Sequence, residues 1–353
     1  MTEQLPPGGA TPRTPRGVAD EENVSATQAP PTERKMVDVF SDIDRETALK
    51  GNPSGYAVTE LAAADDRILT LTADLSNTLA EFREAFPDRY IELGIAETNS
   101  VSLAAGLASC GYVPYIFSMS PFGVLKTAEQ LRTDVDYNHL PVRLVGRLSG
   151  LAMGYFGTSH YAVEDIAIAR TFANTTVIAP ADPNAVLGLM RSTASVDGPV
   201  YIRIAEATDP VYAEVPEIAY GTWPRLRTGD DITIAAHGMG VGLAVQAADV
   251  LRAEHGIHAD VYDGAFLKPF DAEAITSSAA RTGKVLTIED HTVNGGIGAI
   301  VAETVARHKI AADLAQVALP DVDLEVGVPA ELYEYYGLTV AGVVAKAIEL
   351  AKR

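Results

Sequence analysis

From residue 55 onward, short runs rich in Val, Ile and Leu alternate with longer segments whose apolar residues recur every three or four positions. The short runs have the length and composition of buried parallel strands, and the longer ones have the period of helices packed on a sheet. The pattern predicts a helix over 55–64 and a strand ILTLTADL at 68–75. Helix SVSLAAGLASC (100–110), strand YVPYIFS (112–118), helix VLKTAEQLRTDV (124–135) and strand VRLVGRL (142–148) follow. After a glycine-rich loop to residue 158 come helix AVEDIAIARTF (162–172), strand TVIAP (176–180), helix NAVLGLMRSTA (184–194) and strand PVYIRIA (199–205). Such alternation predicts an α/β fold with a mostly parallel, doubly wound sheet and helices on both faces.

Residues 207–228 carry three prolines and no helical period, so they read as a linker. A second alternating set then runs from strand DITIAAHG (231–238) to helix VAGVVAKAIELAK (340–352), through strands HADVYDG, KVLTIEDH and AQVALP. Residues 1–36, rich in Pro, Thr and charge, cannot bury enough apolar surface to order themselves and read as a disordered tail. The expected layout is therefore the tail, a first doubly wound domain over 37–206, the linker, and a second over 229–353.

Composition narrows the function classes. The 353 residues carry 47 acidic and 27 basic side chains, a formal net charge of −20. A nucleic-acid binder would show a basic face, and anionic membranes would repel this chain. The one cysteine, Cys110, excludes an intrachain disulfide and suits a reducing, cytoplasmic setting. No apolar run reaches the length of a membrane span, and no secretory signal is visible at the N-terminus.

Glu97 is the chemical oddity. It stands at the head of the small, apolar run SVSLAAGLASCG, where an unpaired carboxylate is costly. One solution is a helix N-terminal carboxylate satisfied by backbone N–H groups and the helix dipole. The other is a ligand.

The segments YIELGIAETN, FSMSPFGVLKTAEQLR, GTSHYAVEDIA, TVIAPAD, GPVYIRI, LKPFD and IEDHTVNGGIG, in this order over about residues 37–350, resemble transketolases. The closest likeness is to the split form, in which the C-terminal half is a separate subunit. The resemblance implies a thiamine-diphosphate pyrimidine-binding domain followed by a transketolase C-terminal-like domain. It implies transfer of a two-carbon ketol unit from a ketose to an aldehyde. Glu97 matches the acid that contacts N1′ of the cofactor's aminopyrimidine and stabilises its imino tautomer. Phe122 matches an aromatic against that ring, with Met119, Phe117 and Asp74 expected nearby. His160 matches a histidine facing the substrate's oxygens. His291 lies in a motif where a structural role is expected.

The sequence also departs from that pattern. Leu148 and Phe156 stand where transketolases carry polar sugar contacts. Three places after Arg203, where a phosphate-binding arginine is usual, stands Glu206. A carboxylate there repels phosphate. Phe156, Glu206 and Arg203 are still expected to line the substrate site, with Arg203 the cation that could compensate, although an offset of three along a strand points to the opposite face. Lys50 and Gly51 occupy the place of another phosphate anchor. A non-standard substrate and poor use of phosphorylated acceptors are expected. The chain has no GDG, the segment that opens the family's Mg²⁺ and diphosphate site. The resemblance thus implies an N-terminal partner subunit that carries the Mg²⁺ ligands, in a heterotetramer with two copies of each chain. Three alternatives stay open: the β subunit of an oxo-acid dehydrogenase-type enzyme serving a lipoyl or carrier-protein thiol, a deoxyxylulose-phosphate-synthase-like activity, and a non-enzymatic scaffold.

Overall fold

A computed structural model of the chain describes residues 52–205 and 210–353. The expected tail, Lys50, Gly51 and Glu206 lie outside the described residues. The strands are β1 (Ile68–Thr72), β2 (Tyr90–Glu92), β3 (Val113–Met119), β4 (Arg143–Arg147), β5 (Thr176–Ile178), β6 (Val200–Arg203), β7 (Arg225–Arg227), β8 (Ile232–Ala236), β9 (Ala259–Asp263), β10 (Phe266–Lys268), β11 (Lys284–Thr292) and β12 (Asp313–Leu319).

These strands build two sheets. The first has the order β10-β5-β6-β4-β3-β1-β2 and the second β12-β11-β8-β9-β7. All pairings are parallel except those of β10 with β5 and β7 with β9. Parallel strands are covered on both faces, which is why β1, β6, β8 and β9 are buried at every residue. In the first sheet β2 and β3 leave β1 on opposite sides, so a topological switch point lies there. Among the described residues, no helix is long and apolar enough to cross a membrane.

The elements depart from the hydrophobic pattern where side chains compete with it. The expected helix 124–135 is instead a π-helical turn Pro121–Leu125, one α-helical turn and a second π-helical turn Leu131–Asp136. The Lys126 N–H reaches back five residues to the Pro121 carbonyl, and the Thr127 hydroxyl donates to the Gly123 carbonyl. The helix expected over 162–172 shrinks to Asp165–Ala169. Ala162 is bridged to Gly150, and the Val163 carbonyl accepts the N–H of Thr292, so both are held extended.

The two halves interlock. The stretch read as a linker contains β7, an edge strand of the second sheet, and Trp223, whose Nε1 donates to the Phe266 carbonyl at 2.7 Å. In return β10, from the second half, closes the edge of the first sheet.

Candidate functional site

The C-terminal ends of parallel strands leave backbone and side-chain groups facing a crevice, and the switch point is where that crevice opens. Here the ends of β1, β2, β3 and β4 lead into Asp74, Glu97, the turn bearing Phe122, and the loop to His160. Asp74 is exposed, with a left-handed φ of 62°, at the end of β1.

Glu97 is the first residue of helix Glu97–Ser109 and is only 5% exposed. Backbone capping does not account for it. Its Oε2 accepts a hydrogen bond from Lys126 Nζ at 2.7 Å, and the lysine side chain is 49% exposed. The pair ties the helix to the turn Pro121–Leu125. Phe122, on that turn, is half-buried and meets the His160 ring edge-on, with centroids 5.0 Å apart. The His160 ring also stacks on Phe156 at 4.6 Å, and Phe156 is 58% exposed. Phe122, His160 and Phe156 thus form one aromatic cluster, and the Lys126 pair brings Glu97 to the turn that carries Phe122.

The loop that carries His160 is fixed by the second half of the molecule. Tyr161 Oη donates to the Glu325 carbonyl (2.5 Å) and lies 3.2 Å from the Gly154 carbonyl, which accepts the Gly327 N–H at 3.2 Å. The Leu151 N–H donates to Tyr333 Oη at 3.0 Å. His160 itself has Nδ1 2.9 Å from Ser159 Oγ, and its N–H donates to the Gly157 carbonyl at 2.9 Å.

Several expected site residues are placed elsewhere. Phe117 lies in mid-strand, fully buried in the hydrophobic core, and does not reach the rim; Met119, at the end of β3, is half-buried. Leu148 begins the loop after β4 in a left-handed conformation, φ 58°. Arg203 is corrected most plainly. It is fully buried, its Nε donates to Asp165 Oδ2 (2.9 Å), its Nη1 donates to Asp290 Oδ1 (2.7 Å), and Nη2 donates to the carbonyls of Ala162 and Asp290. Burial would push this guanidinium down, but the two carboxylates override it and hold its pKa above the ordinary value. Its donors are engaged inside the protein, so it offers nothing to a phosphate.

The pattern of residues missed Lys126. The available signal was a lone cation in the apolar stretch SMSPFGVLKTA, four residues after Phe122. Among the described residues, no group of three or more His, Cys, Asp or Glu is placed to hold a metal ion.

Comparison with known proteins adds an independent line. A family model for the transketolase pyrimidine-binding domain matches residues 51–208, and one for the transketolase C-terminal domain matches 221–343. The chain is 35% identical to a subunit of the apulose-4-phosphate transketolase of Phocaeicola vulgatus, over 83% of this chain and 95% of that protein. It is 36% identical to the 6-deoxy-6-sulfo-D-fructose transketolase subunit SqwH of a Clostridium species, over 83% and 92%. A solved structure described as "Split gene transketolase, inactive beta4 tetramer" superposes with a TM-score of 0.77 at 34% identity, covering 85% of this chain and 97% of that one.

Proposed function

Because the chain belongs to the transketolase family and is one subunit of a transketolase-type transferase, we propose that it acts only with a second polypeptide, which grips the diphosphate and Mg²⁺ of thiamine diphosphate. The missing GDG segment supports that division of labour, as does the similar split-gene transketolase described as an inactive beta4 tetramer. Two copies of each chain would form the enzyme, in the cytoplasm, where the exposed Cys110 stays reduced.

The observation that carries this reading is Glu97, a carboxylate 5% exposed at the switch-point rim whose hydrogen-bond partner is a half-exposed lysine. The residues present fit the cofactor's aminopyrimidine. Glu97 supplies the carboxyl that shares a proton with N1′, and Phe122 supplies a ring face that orients it at little entropic cost. When bound, the cofactor supplies the nucleophilic thiazolium carbon that takes up the ketol unit. His160 holds or gives a proton at the substrate's oxygens, which imidazole does near neutral pH. Phe156 stacked on His160, with Leu148 at the base of the loop, leaves a rim less polar than the sugar-phosphate pattern implies. We therefore assign a non-standard ketose as donor, as the names of the two relatives suggest for those proteins.

The test uses the co-purified pair of chains and a screen of ketoses and aldehydes, with and without phosphate. Glu97→Gln is expected to lower kcat about 10²- to 10⁴-fold while the assembly elutes unchanged. Full activity of that variant, or turnover by this chain alone, would overturn the proposal.

A further inference from the structure

We propose that Lys126 occupies the cofactor's place beside Glu97 until the ring arrives, and so couples cofactor binding to proton uptake. The inference rests on the reading of Glu97 as the ring's partner and adds a positioning role for a residue that reading does not use.

The geometry has a direction. The carboxylate is 5% exposed and the lysine side chain 49% exposed, so the ammonium enters from the solvent side, the side from which a ligand comes. At 2.7 Å it takes up one acceptor position of the carboxylate, on Oε2. Lys126 follows the π-helical turn Pro121–Leu125, and its N–H makes the long 3.3 Å bond to the Pro121 carbonyl that defines that turn.

The proton count follows from the groups. An ammonium has three donors and a positive charge, so it favours the ionised carboxylate over the carboxylic acid. The pair with the ring requires the opposite, a proton shared between the carboxyl and N1′. Replacing Lys126 by the ring therefore removes one ion pair and adds one proton to the Glu97–N1′ couple, taken from solvent. Lys126 leaves charged, into the half-open rim. In the cofactor-free chain the lysine prevents the desolvated carboxylate from standing unpaired, which would be costly.

The experiment strips the co-purified pair of cofactor and titrates it with thiamine diphosphate and Mg²⁺ by calorimetry. Buffers of different ionisation enthalpy report the protons exchanged. Wild type is expected to take up about one proton per site near neutral pH. In Lys126→Met a buried carboxyl without a cation is protonated beforehand, so uptake falls towards zero and binding tightens about tenfold, the worth of a modest ion pair. Lys126→Arg keeps the pair, so uptake stays and affinity falls. Equal uptake and affinity in wild type and Lys126→Met, or weaker binding with uptake unchanged, would overturn the inference. Should Lys126→Met fail to assemble, a Lys126→Arg protein that binds without proton uptake would do the same. Glu97→Gln separates this from the parent reading. If that variant turns over normally, the role of Glu97 is wrong; if it is inactive while Lys126→Met matches wild type, only the lysine's role is wrong.

Discussion

The two sheets are wound on the same principle, and each brings polar side chains to the C-terminal edge of its parallel strands. On the first sheet those groups are Asp74, Glu97 and His160, on a rim with exposed and half-exposed neighbours. On the second they are His237, Asp263, Glu289, Asp290 and His291, all fully buried. The difference is that the first half and the connecting stretch after it plug the second sheet's edge. Arg203 reaches Asp290, Tyr212 Oη donates to Asp263 Oδ2 at 2.7 Å, and the Ala167 N–H donates to His291 Nε2 at 3.3 Å. The plugged edge has the more perturbed chemistry. Burial pushes Asp263 up to about 7 and Glu289 to about 8, and pushes His291 down to about 4. Perturbed titration often marks an active site. Here it marks a closed interdomain contact, and access to solvent separates the two.

The sharpest way to break that distinction is Arg203→Met. It leaves Asp165 and Asp290 buried without their cation, a loss of about 3–5 kcal/mol of stability. Urea unfolding of the co-purified enzyme measures it, with the expectation that KM for the ketose is unchanged where both proteins are folded. Unaltered unfolding together with a raised KM would make the plugged edge a substrate site after all.

His291 tests the same edge through pH. Its Nδ1–H donates to the Thr292 carbonyl and its Nε2 accepts from Ala167, so the folded protein holds it neutral. Burial first, then the Arg203 charge, depress it to about 4 against the Asp165 carboxylate, which favours its cation. A depressed histidine binds more protons unfolded than folded. Its contribution is therefore complete above pH 6.5 and is lost as pH falls towards 4, at most about 3 kcal/mol. Buried His237 acts in the same direction. Glu289 and Asp263, raised by burial, act oppositely, their stability being lost as pH rises through about 8 and 7. The measurement is therefore the difference between wild type and His291→Asn in melting temperature, followed from neutral to acid pH. A difference that does not narrow on acidification would show that His291 is not held neutral.

What was legible in the sequence follows the same divide. The alternation of runs gave the strands β1, β3, β4, β5, β6, β8, β9, β11 and β12, because strands covered on both faces are mostly apolar. It missed β2, β7 and β10, each three residues long and paired only by tertiary contact. Glu97, Phe122 and His160 stood out from motifs, and the structure gathers Phe122 and His160 on one rim with the turn that holds Glu97. Arg203 and Phe117 were misplaced because a motif gives position along a strand and not which groups cross to meet it. Lys126 escaped because its partner is 29 residues away in sequence.

The smallest expected effect joins the two regions. Gly157 sits in the loop that carries His160, at φ 70° and ψ −159°, a conformation essentially restricted to glycine. A Cβ there would meet Val326 Cγ2, from the second half, at 2.8 Å. Gly157→Ala is expected to cost about 1–3 kcal/mol in unfolding and to lower kcat/KM for the ketose about tenfold or more through a displaced His160. Adding Val326→Ala removes the collision and leaves the backbone strain. If backbone conformation sets the loop, the double variant stays as impaired as the single one. Recovery of activity in the double variant would instead make the fit against the second half the controlling contact. A Gly157→Ala protein with lowered stability and normal kcat/KM would detach His160 from the chemistry altogether, since the loop would have moved without consequence for the substrate.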